Sequence, residues 1–230
     1  MKGLKMKKFI AVIMLAIMLM SPMAFAGDKI GIGFIYTFQA YTPSDTGALV
    51  MRDGKAVSFE SVYPDGVTTL DTVLDFISGE SSQRYDKKWE KTAKNIMPTA
   101  GLNHMANVVF HEEAATTTWY MGLLPNGATL ALADTMASKE WTEVVAYDEA
   151  TRPAWTEGAA SGGVITNGTA VDFTISTDST VIEGGFITSV NTKSGETGIL
   201  ISEAAFSVDQ TLNDGDILKV TATVTFANPS

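Results

Sequence analysis

Residues 218–226, LKVTATVTF, carry the clearest strand pattern in the chain. The apolar residues from Val220 to Phe226 alternate with threonines, and this period of two places them on one face of a strand. Further strand candidates are 117–124, 144–147, 170–175, 185–190 and 198–202. Turns rich in glycine and asparagine separate these runs. Short strands with such turns predict an antiparallel β-sandwich over residues 99–230, in a mainly β fold.

A smaller α+β segment is predicted upstream, over residues 27–98. Apolar residues alternate along 30–38 and include Phe34, Tyr36 and Phe38, which indicates a strand with one strongly apolar face. Asp53-Gly54 lies between the apolar runs 48–51 and 56–59. Both central residues of a tight hairpin turn need positive φ, and Asp-Gly meets that need, so a hairpin is expected here.

Three helices are also predicted. The first covers 70–77, where apolar residues recur at helical spacing. The second is a polar helix over 81–95, which we interpret as a solvated linker or, alternatively, as a basic surface for an acidic neighbour. Its basic residues are Arg84, Lys87, Lys88, Lys91 and Lys94. The third opens the sandwich at Thr99 and extends to about Phe110. Its expected apolar face consists of Leu102, Met105, Ala106 and Val109.

The first 26 residues, MKGLKMKKFIAVIMLAIMLMSPMAFA, have the three parts of an export signal. A lysine-rich head precedes an apolar run that begins at Phe9, and Ala24-Phe25-Ala26 provides the small residues that a signal peptidase accepts. Cleavage after Ala26 predicts an exported protein (periplasmic, extracellular or virion-associated) without stable membrane insertion. The alternative is an uncleaved anchor, because the 18 uncharged residues from Phe9 to Ala26 are just long enough to span a bilayer.

Charge and cysteine content exclude several classes of function. Removing the four lysines of the signal changes the formal net charge from −10 to −14. Such an acidic chain repels nucleic-acid phosphate, which argues against DNA or RNA as a partner. The chain has no cysteine, so disulfides, thiolate catalysis, a lipid anchor on an N-terminal cysteine and cysteine-ligated metals are excluded. We therefore expect an apolar core to supply the stability.

The second segment contains a recognisable set of motifs: TAGLNHMANVVF, TTTWYMGLL, YDEATRPAW and GGVITNGTAVDFTI. Together with GGFITSV, GILISEAAFS and LNDGDILKVTATVTF, they resemble a family of small virion-associated proteins from tailed bacteriophages and prophages. The resemblance covers residues 93–226 and implies a β-sandwich that packs on a virion surface or tail. It implies self-association, or contact with other virion or surface proteins, and it brings no catalytic residues.

Two parts of the chain depart from that family. Virion proteins assemble in the cytoplasm, so the export signal is unexpected, and residues 27–98 have no counterpart in the pattern. One interpretation is a fusion that sends a phage-type sandwich across the membrane. The other is a true start near Met97 or Met105. The well-formed signal and the strand and hairpin patterns that follow it favour the fusion.

Two polar clusters are candidate metal sites. His104 and His111 are seven residues apart and precede Glu112 and Glu113, so a continuous helix could gather them around zinc. The alternative is a helix-end cluster in which His104 caps or packs.

A loop with Asp209, Asn213, Asp214 and Asp216 could hold calcium. However, it lacks the ligand spacing of an EF-hand, and an ordinary turn before a strand is the favoured interpretation. We therefore expect no metal and no cofactor.

A group of aromatic residues is the candidate ligand-binding site. Trp119, Tyr120, Trp141 and Trp155 lie close together in the sequence, and aromatic side chains beside polar groups can form a platform for sugar rings. The alternative is core packing, with the stretch that begins at Arg152 locking a loop by stacking.

Motifs for enzymatic chemistry are absent from the sequence. It contains no Gly-x-Ser-x-Gly, P-loop, Gly-x-Gly-x-x-Gly or His-Glu-x-x-His motif. The sequence therefore predicts a non-catalytic, homo-oligomeric structural protein that acts by surface contacts after export. The alternative is an exported carbohydrate-binding or receptor-binding sandwich module, with a glycan as partner. A hydrolase without a recognisable motif is a third reading.

Overall fold

Antiparallel β-strands form most of the structure, a computed structural model that describes residues 31–43, 49–52, 55–57 and 83–227. The strands are β1 (Gly31–Pro43), β2 (Leu49–Arg52), β3 (Lys55–Val57), β4 (Gln83–Ile96), β5 (Trp119–Pro125), β6 (Ala154–Trp155), β7 (Val164–Thr166), β8 (Val171–Thr174), β9 (Thr180–Thr188), β10 (Leu200–Leu212) and β11 (Ile217–Ala227). The helix α1 (Thr99–Phe110) lies between β4 and β5. Within the described ranges, no helix has the length and apolarity needed to cross a bilayer.

The strands hydrogen-bond in the order β6-β5-β9-β10-β4-β1-β11-β7. Three strands lie outside this order: β2 pairs with β3 and β4, and β8 pairs with β11. β4 joins two halves of this array, β6-β5-β9-β10 on one side and β1-β11-β7 on the other. Its residues Tyr85–Lys94 pair with β1, whereas Asn95 and Ile96 pair with β10. β1 and β4, which precede residue 98, thus share one network with strands that follow it. The described residues between Ile32 and Thr225 belong to one compact unit.

The main core lies between the two halves of this curled array. Its large buried side chains come from β1, β5, β8, β9 and β10. They include Phe34, Tyr36, Phe38, Leu123, Phe173, Ile182, Ile187 and Phe206. The ring of Phe38 meets that of Phe206 edge to face, with 4.7 Å between centroids, so the two halves are in direct contact. The mainly β, antiparallel, sandwich-like fold predicted from the sequence is confirmed.

The strands with the strongest alternation are confirmed. Along β1, Phe34, Tyr36 and Phe38 are buried. Along β11, the residues from Leu218 to Val224 that share one face are buried, whereas Phe226 at its end is exposed. β2 and β3 pair antiparallel, as the Asp-Gly hairpin predicts. The predicted strand 144–147 contains only single bridges, from Val144 to Leu123 and from Tyr147 to Ile175. The predicted signal over residues 1–26 and the predicted helix over 70–77 lie outside the described residues.

The predicted polar helix over 81–95 is wrong, because these residues form β4. Tyr85 and Ala93 are buried and Trp89 is half-buried, whereas the side chains at the even positions from 86 to 94 are exposed. A spacing of four returns to the same face in a helix and also in a strand, so the three apolar positions fit both. Backbone pairing with β1 and β10 decides in favour of the strand.

The predicted helix over 99–110 is confirmed, and most of its predicted apolar face is exposed. Gly101 and His104 are buried in α1, whereas Leu102 and Val109 are exposed. Gly101 explains which side of α1 faces the sheet. A Cβ at Gly101 would lie 2.8 Å from the Ile201 Cα, so only glycine allows α1 to approach β10 this closely. The side of the helix that carries Gly101 therefore faces the sheet.

Candidate functional site

The exposed side of α1 is the candidate contact surface. Leu102 is 43% exposed, Val109 68% and Phe110 86%, and Ala106 between them is also exposed. We call these four residues the outer face of α1. None of the twelve residues of α1 is an aspartate, glutamate, lysine or arginine. Helices at a protein surface usually carry charged side chains on the solvent side, so an uncharged apolar outer face indicates a surface for contacts.

Two contacts fix the position of this face at the start of α1. The backbone N–H of Thr99 donates to the carbonyl oxygen of Leu132 at 2.8 Å. The side chain of Leu132 is 61% exposed, so an apolar residue from the segment after β5 lies beside the beginning of the helix. The other contact is the close approach of Gly101 to β10. The outer face is therefore held on a rigid support.

His104, a buried residue of α1, contacts the segment that follows the helix. Its Nδ1 lies 2.7 Å from Glu113 Oε1, and its Nε2 lies 3.1 Å from Thr116 Oγ1. Because a carboxylate only accepts, Nδ1 is the donor, and this hydrogen bond lowers the pKa of the Glu113 carboxyl. His111 is exposed. Both ring nitrogens of His104 are thus used in hydrogen bonds, as the helix-end interpretation requires. The described residues contain no group of three or more metal-ligating side chains.

The structure places the four predicted aromatic residues in two different environments. Trp119 and Trp155 are opposite each other on β5 and β6, with Trp155 only 6% exposed and Trp119 half-buried. Tyr120, the neighbour of Trp119, is half-buried. Trp141 is 5% exposed and packs on Phe186 in a second core cluster, with 4.7 Å between centroids. These positions bring Trp119 and Trp155 together and place Trp141 apart.

A groove of about 350 Å³ lies beside β6. Its walls are small or polar residues, and none of the four predicted aromatic residues lines it. The lining residues are Ala154, Thr156, Glu157, Gly158, Gly168, Thr169, Ala170 and Val171. Sugar recognition by stacking needs an open aromatic face, so this groove does not add support to the carbohydrate-binding alternative.

The aspartate-rich loop between β10 and β11 forms a turn. Gly215 has φ of +77°, and the Asp216 N–H donates to the Asn213 carbonyl oxygen at 3.0 Å. The Asp216 carboxylate is fully buried. Its Oδ2 accepts from Lys88 Nζ at 2.7 Å and from the Asn213 N–H at 2.8 Å. The turn interpretation is confirmed, and one lysine of the basic run binds a buried acidic group that precedes β11.

A buried ion pair joins two loops. Arg152 is 1% exposed, and its Nε and Nη2 donate to the two carboxylate oxygens of Glu143 at 2.9 and 2.8 Å. Nη1 donates to the Val190 carbonyl oxygen at 2.8 Å, and Nη2 also reaches the Gly195 carbonyl oxygen at 3.2 Å. The Ser194 N–H donates to Glu143 Oε2 at 2.6 Å. Charge-assisted and bidentate bonds of this kind are among the strongest in proteins.

The stretch that begins at Arg152 is predicted to lock a loop by stacking. The guanidinium does lie 5.2 Å from the centre of the Phe186 ring. Its main partner, however, is Glu143, which the sequence analysis did not identify because a pair nine residues apart across a loop has no periodic signal.

A second buried acidic group lies on β10. Glu203 is fully buried, and its Oε2 accepts from Trp141 Nε1 at 3.1 Å. Asp134, which lies near Glu203, is 5% exposed. Burial, followed by the charge and hydrogen bond of Asp134, raises the pKa of Glu203 to about 8. No donor reaches Glu203 Oε1.

Comparison with known protein families finds no match for this chain. A search of curated proteins also finds none.

Proposed function

We propose that this protein is an exported, non-catalytic assembly protein and that the outer face of α1 is its contact surface. The observation that carries this proposal is the exposure of Leu102, Val109 and Phe110 on an uncharged helix that is fixed to β10. Exposing large apolar side chains on a rigid helix is unfavourable in water, so covering this face with a partner would release free energy.

Charge supports a second copy of this chain as the partner. The full chain carries a formal net charge of −10, so two copies repel each other over most of their surfaces. The outer face of α1 contains no charged side chain. When this face meets the same face of another copy, apolar surface is buried and no like charges are brought together. A symmetric contact of this type is the commonest arrangement among homo-oligomers.

The size of the face favours a weak, reversible dimer over a stable one. A helix of 12 residues is about 18 Å long and about 10 Å wide, so its outer strip covers roughly 200 Å². Stable complexes bury about 800 Å² on each partner. Even when Leu132 extends the strip, the contact remains small. In a surface array, the role implied by the resemblance to virion-associated proteins, a weak dimer contact of this size would be one of several contacts; that resemblance stays a prediction.

Replacing Val109 and Phe110 together by serine is expected to abolish self-association. Burying a phenylalanine stabilises a contact by about 1.5–3 kcal/mol, so losing Phe110 alone should weaken association about tenfold or more. Sedimentation velocity, measured up to the solubility limit, should show the wild type moving from monomer to larger species. The double variant should remain a monomer with an unchanged circular dichroism spectrum.

Val208→Ser is a matched control for this experiment. Val208 is 64% exposed but belongs to β10, away from α1, so this variant should associate like the wild type. A wild type that stays monomeric at every concentration would contradict the proposal. Equal loss of association in the Val208→Ser variant would show that general surface apolarity, and not this face, is responsible.

A further inference from the structure

The groove beside β6 lies between two walls that come from different parts of the sheet. Residues 154–158 form one wall, and residues 168–171 form the other. At one end of the groove the walls are joined, because Glu157 forms a single bridge with Asn167 and the Gly158 N–H donates to the Thr166 carbonyl oxygen at 2.9 Å. The walls are thus paired at that end and separate around an open space of about 350 Å³.

The wall at β6 presents an open strand edge. The Met121 N–H donates to the Pro153 carbonyl oxygen at 2.9 Å, so the Pro153 carbonyl points toward β5. Successive residues of a strand direct their main-chain groups to opposite sides. Ala154 therefore directs its N–H and C=O groups away from β5, and Ala154 lines the groove. Among the described strands, β6 pairs with β5 alone.

The wall at β8 presents a second open edge. The Thr174 carbonyl oxygen accepts from the Asp148 N–H at 2.8 Å, and the Thr174 N–H donates to Glu149 Oε1 at 3.0 Å. Neither partner belongs to β11, so the main-chain groups of Thr174 point away from β11. By alternation, the groups of Asp172 and of Ala170, just before β8, point the same way. Among the described residues, no hydrogen bond covers this edge at Ala170 or Asp172.

Small residues keep the main chain of both walls accessible. The groove is lined by Ala154 and Gly158 on one side and by Gly168 and Ala170 on the other. A Cβ at Gly168 would meet no atom within 4 Å, so this position is open. Glycine in a sheet often marks a place where another backbone approaches closely. The volume is at the low end of the range for ligand sites, roughly 300–1,000 Å³, and it suits a short extended chain with small side chains.

The charge of the groove is negative. Glu157 is exposed and is the one charged residue among those that line it. Asp172, the next acidic residue along the β8 edge, is already paired with Lys219, whose Nζ lies 2.7 Å from Asp172 Oδ2. The carboxylate of Glu157 therefore favours a ligand that brings a positive charge to this end of the groove.

We propose that this groove binds an extended peptide segment with small side chains and a basic residue, which adds a strand between β6 and β8. The main chain of the peptide pairs with the open edge at Ala154 on one side and at Ala170 on the other, and its basic residue meets Glu157. None of the lining residues belongs to α1, so this site does not require the outer face of α1 to bind a second copy.

Titration of the isotope-labelled wild type with the blocked hexapeptide acetyl-Lys-Ala-Thr-Ala-Thr-Ala-amide tests this site by NMR. The amide signals of Ala154 and Ala170 should shift, and their hydrogen exchange should slow, because the added strand accepts hydrogen bonds from them. A short flexible peptide should bind with a Kd of about 1 mM. An analogue with N-methylated main-chain amides keeps the side chains but loses the donors, so it should not bind.

Three variants make the site specific. Gly168→Leu places a large side chain on one wall and should weaken peptide binding by about tenfold or more. Ala160→Leu is the matched control, because it adds bulk at an exposed position that does not line the groove, and it should bind like the wild type. Glu157→Gln should weaken binding by up to about fivefold at low salt. It should not affect an analogue with alanine in place of the lysine.

Two results on the wild type would overturn the proposal: unshifted edge amides at about ten times the expected Kd, or equal binding of the N-methylated analogue. Equal affinity for the Gly168→Leu variant would also overturn it. If that variant does not fold, the comparison of the two peptides still decides. Sedimentation without peptide tests the proposed function separately. A monomeric wild type that binds the peptide would remove the assembly role alone, and an associating wild type that ignores the peptide would remove this site alone.

Discussion

Replacing Arg152 by methionine is expected to destabilise the protein by about 3–5 kcal/mol, because it leaves the Glu143 carboxylate buried without its counter-ion. The carbonyl oxygens of Val190 and Gly195 would also lose their donor. Urea unfolding, followed by circular dichroism at neutral pH, should show a lower midpoint with an unchanged slope.

Two further variants make this expectation specific. Lys87→Met removes an ion pair with Glu90 in which both side chains are nearly half exposed, and it should change stability by less than about 1 kcal/mol. The double variant Arg152→Met/Glu143→Leu removes both buried charges and should recover a large part of the loss. If Arg152→Met costs no more than Lys87→Met, the buried pair does not contribute in the way that its geometry indicates.

Gly184→Ala is expected to prevent normal folding. A Cβ at Gly184 would lie 1.9 Å from the Ala204 carbonyl oxygen and 2.9 Å from the Ala205 Cα. Both atoms belong to the backbone of β10, so no side-chain rotation relieves the clash, and the β9–β10 pairing must open locally. The expected loss exceeds about 4 kcal/mol, and the variant should be insoluble or should lack cooperative unfolding.

Gly168→Ala is the matched control, because a Cβ at Gly168 would meet no atom within 4 Å. Its stability should remain within about 1 kcal/mol of the wild type. A soluble Gly184→Ala variant with a wild-type urea midpoint would contradict the close approach of β9 and β10.

Strands with strict alternation were predictable, and the strand with ambiguous spacing was not. β1 and β11 combine a period of two with β-branched and aromatic residues, so local physics and tertiary packing agree. In β4, apolar residues recur every fourth position among lysines, and helix and strand satisfy that pattern equally. Its pairing with β10 depends on residues more than a hundred positions away, about which a local window has no information.

The sites show the same division between local and long-range signals. The apolar set on α1 was identified correctly as one side of a helix. The side that faces the sheet is determined by Gly101 and Ile201, which meet only after folding. Glu203 carried a readable signal, an acidic residue within the apolar run ILISEAAF, because a charge in such a run needs a partner. Nothing in the sequence indicates that Trp141, which donates to it, is its partner.

The strand order also has a kinetic consequence. The middle of the array is β10-β4-β1-β11, which joins strands from the two ends of the described chain. Strands that are far apart in the sequence must come together before their stabilising contacts can form. Contact order is therefore high, and folding should be slow. During synthesis β1 exposes an unpaired edge until β11 emerges. The pairings of β1 with β11 and of β4 with β10 are thus the last to form, and the nascent chain depends on this late pairing to avoid aggregation.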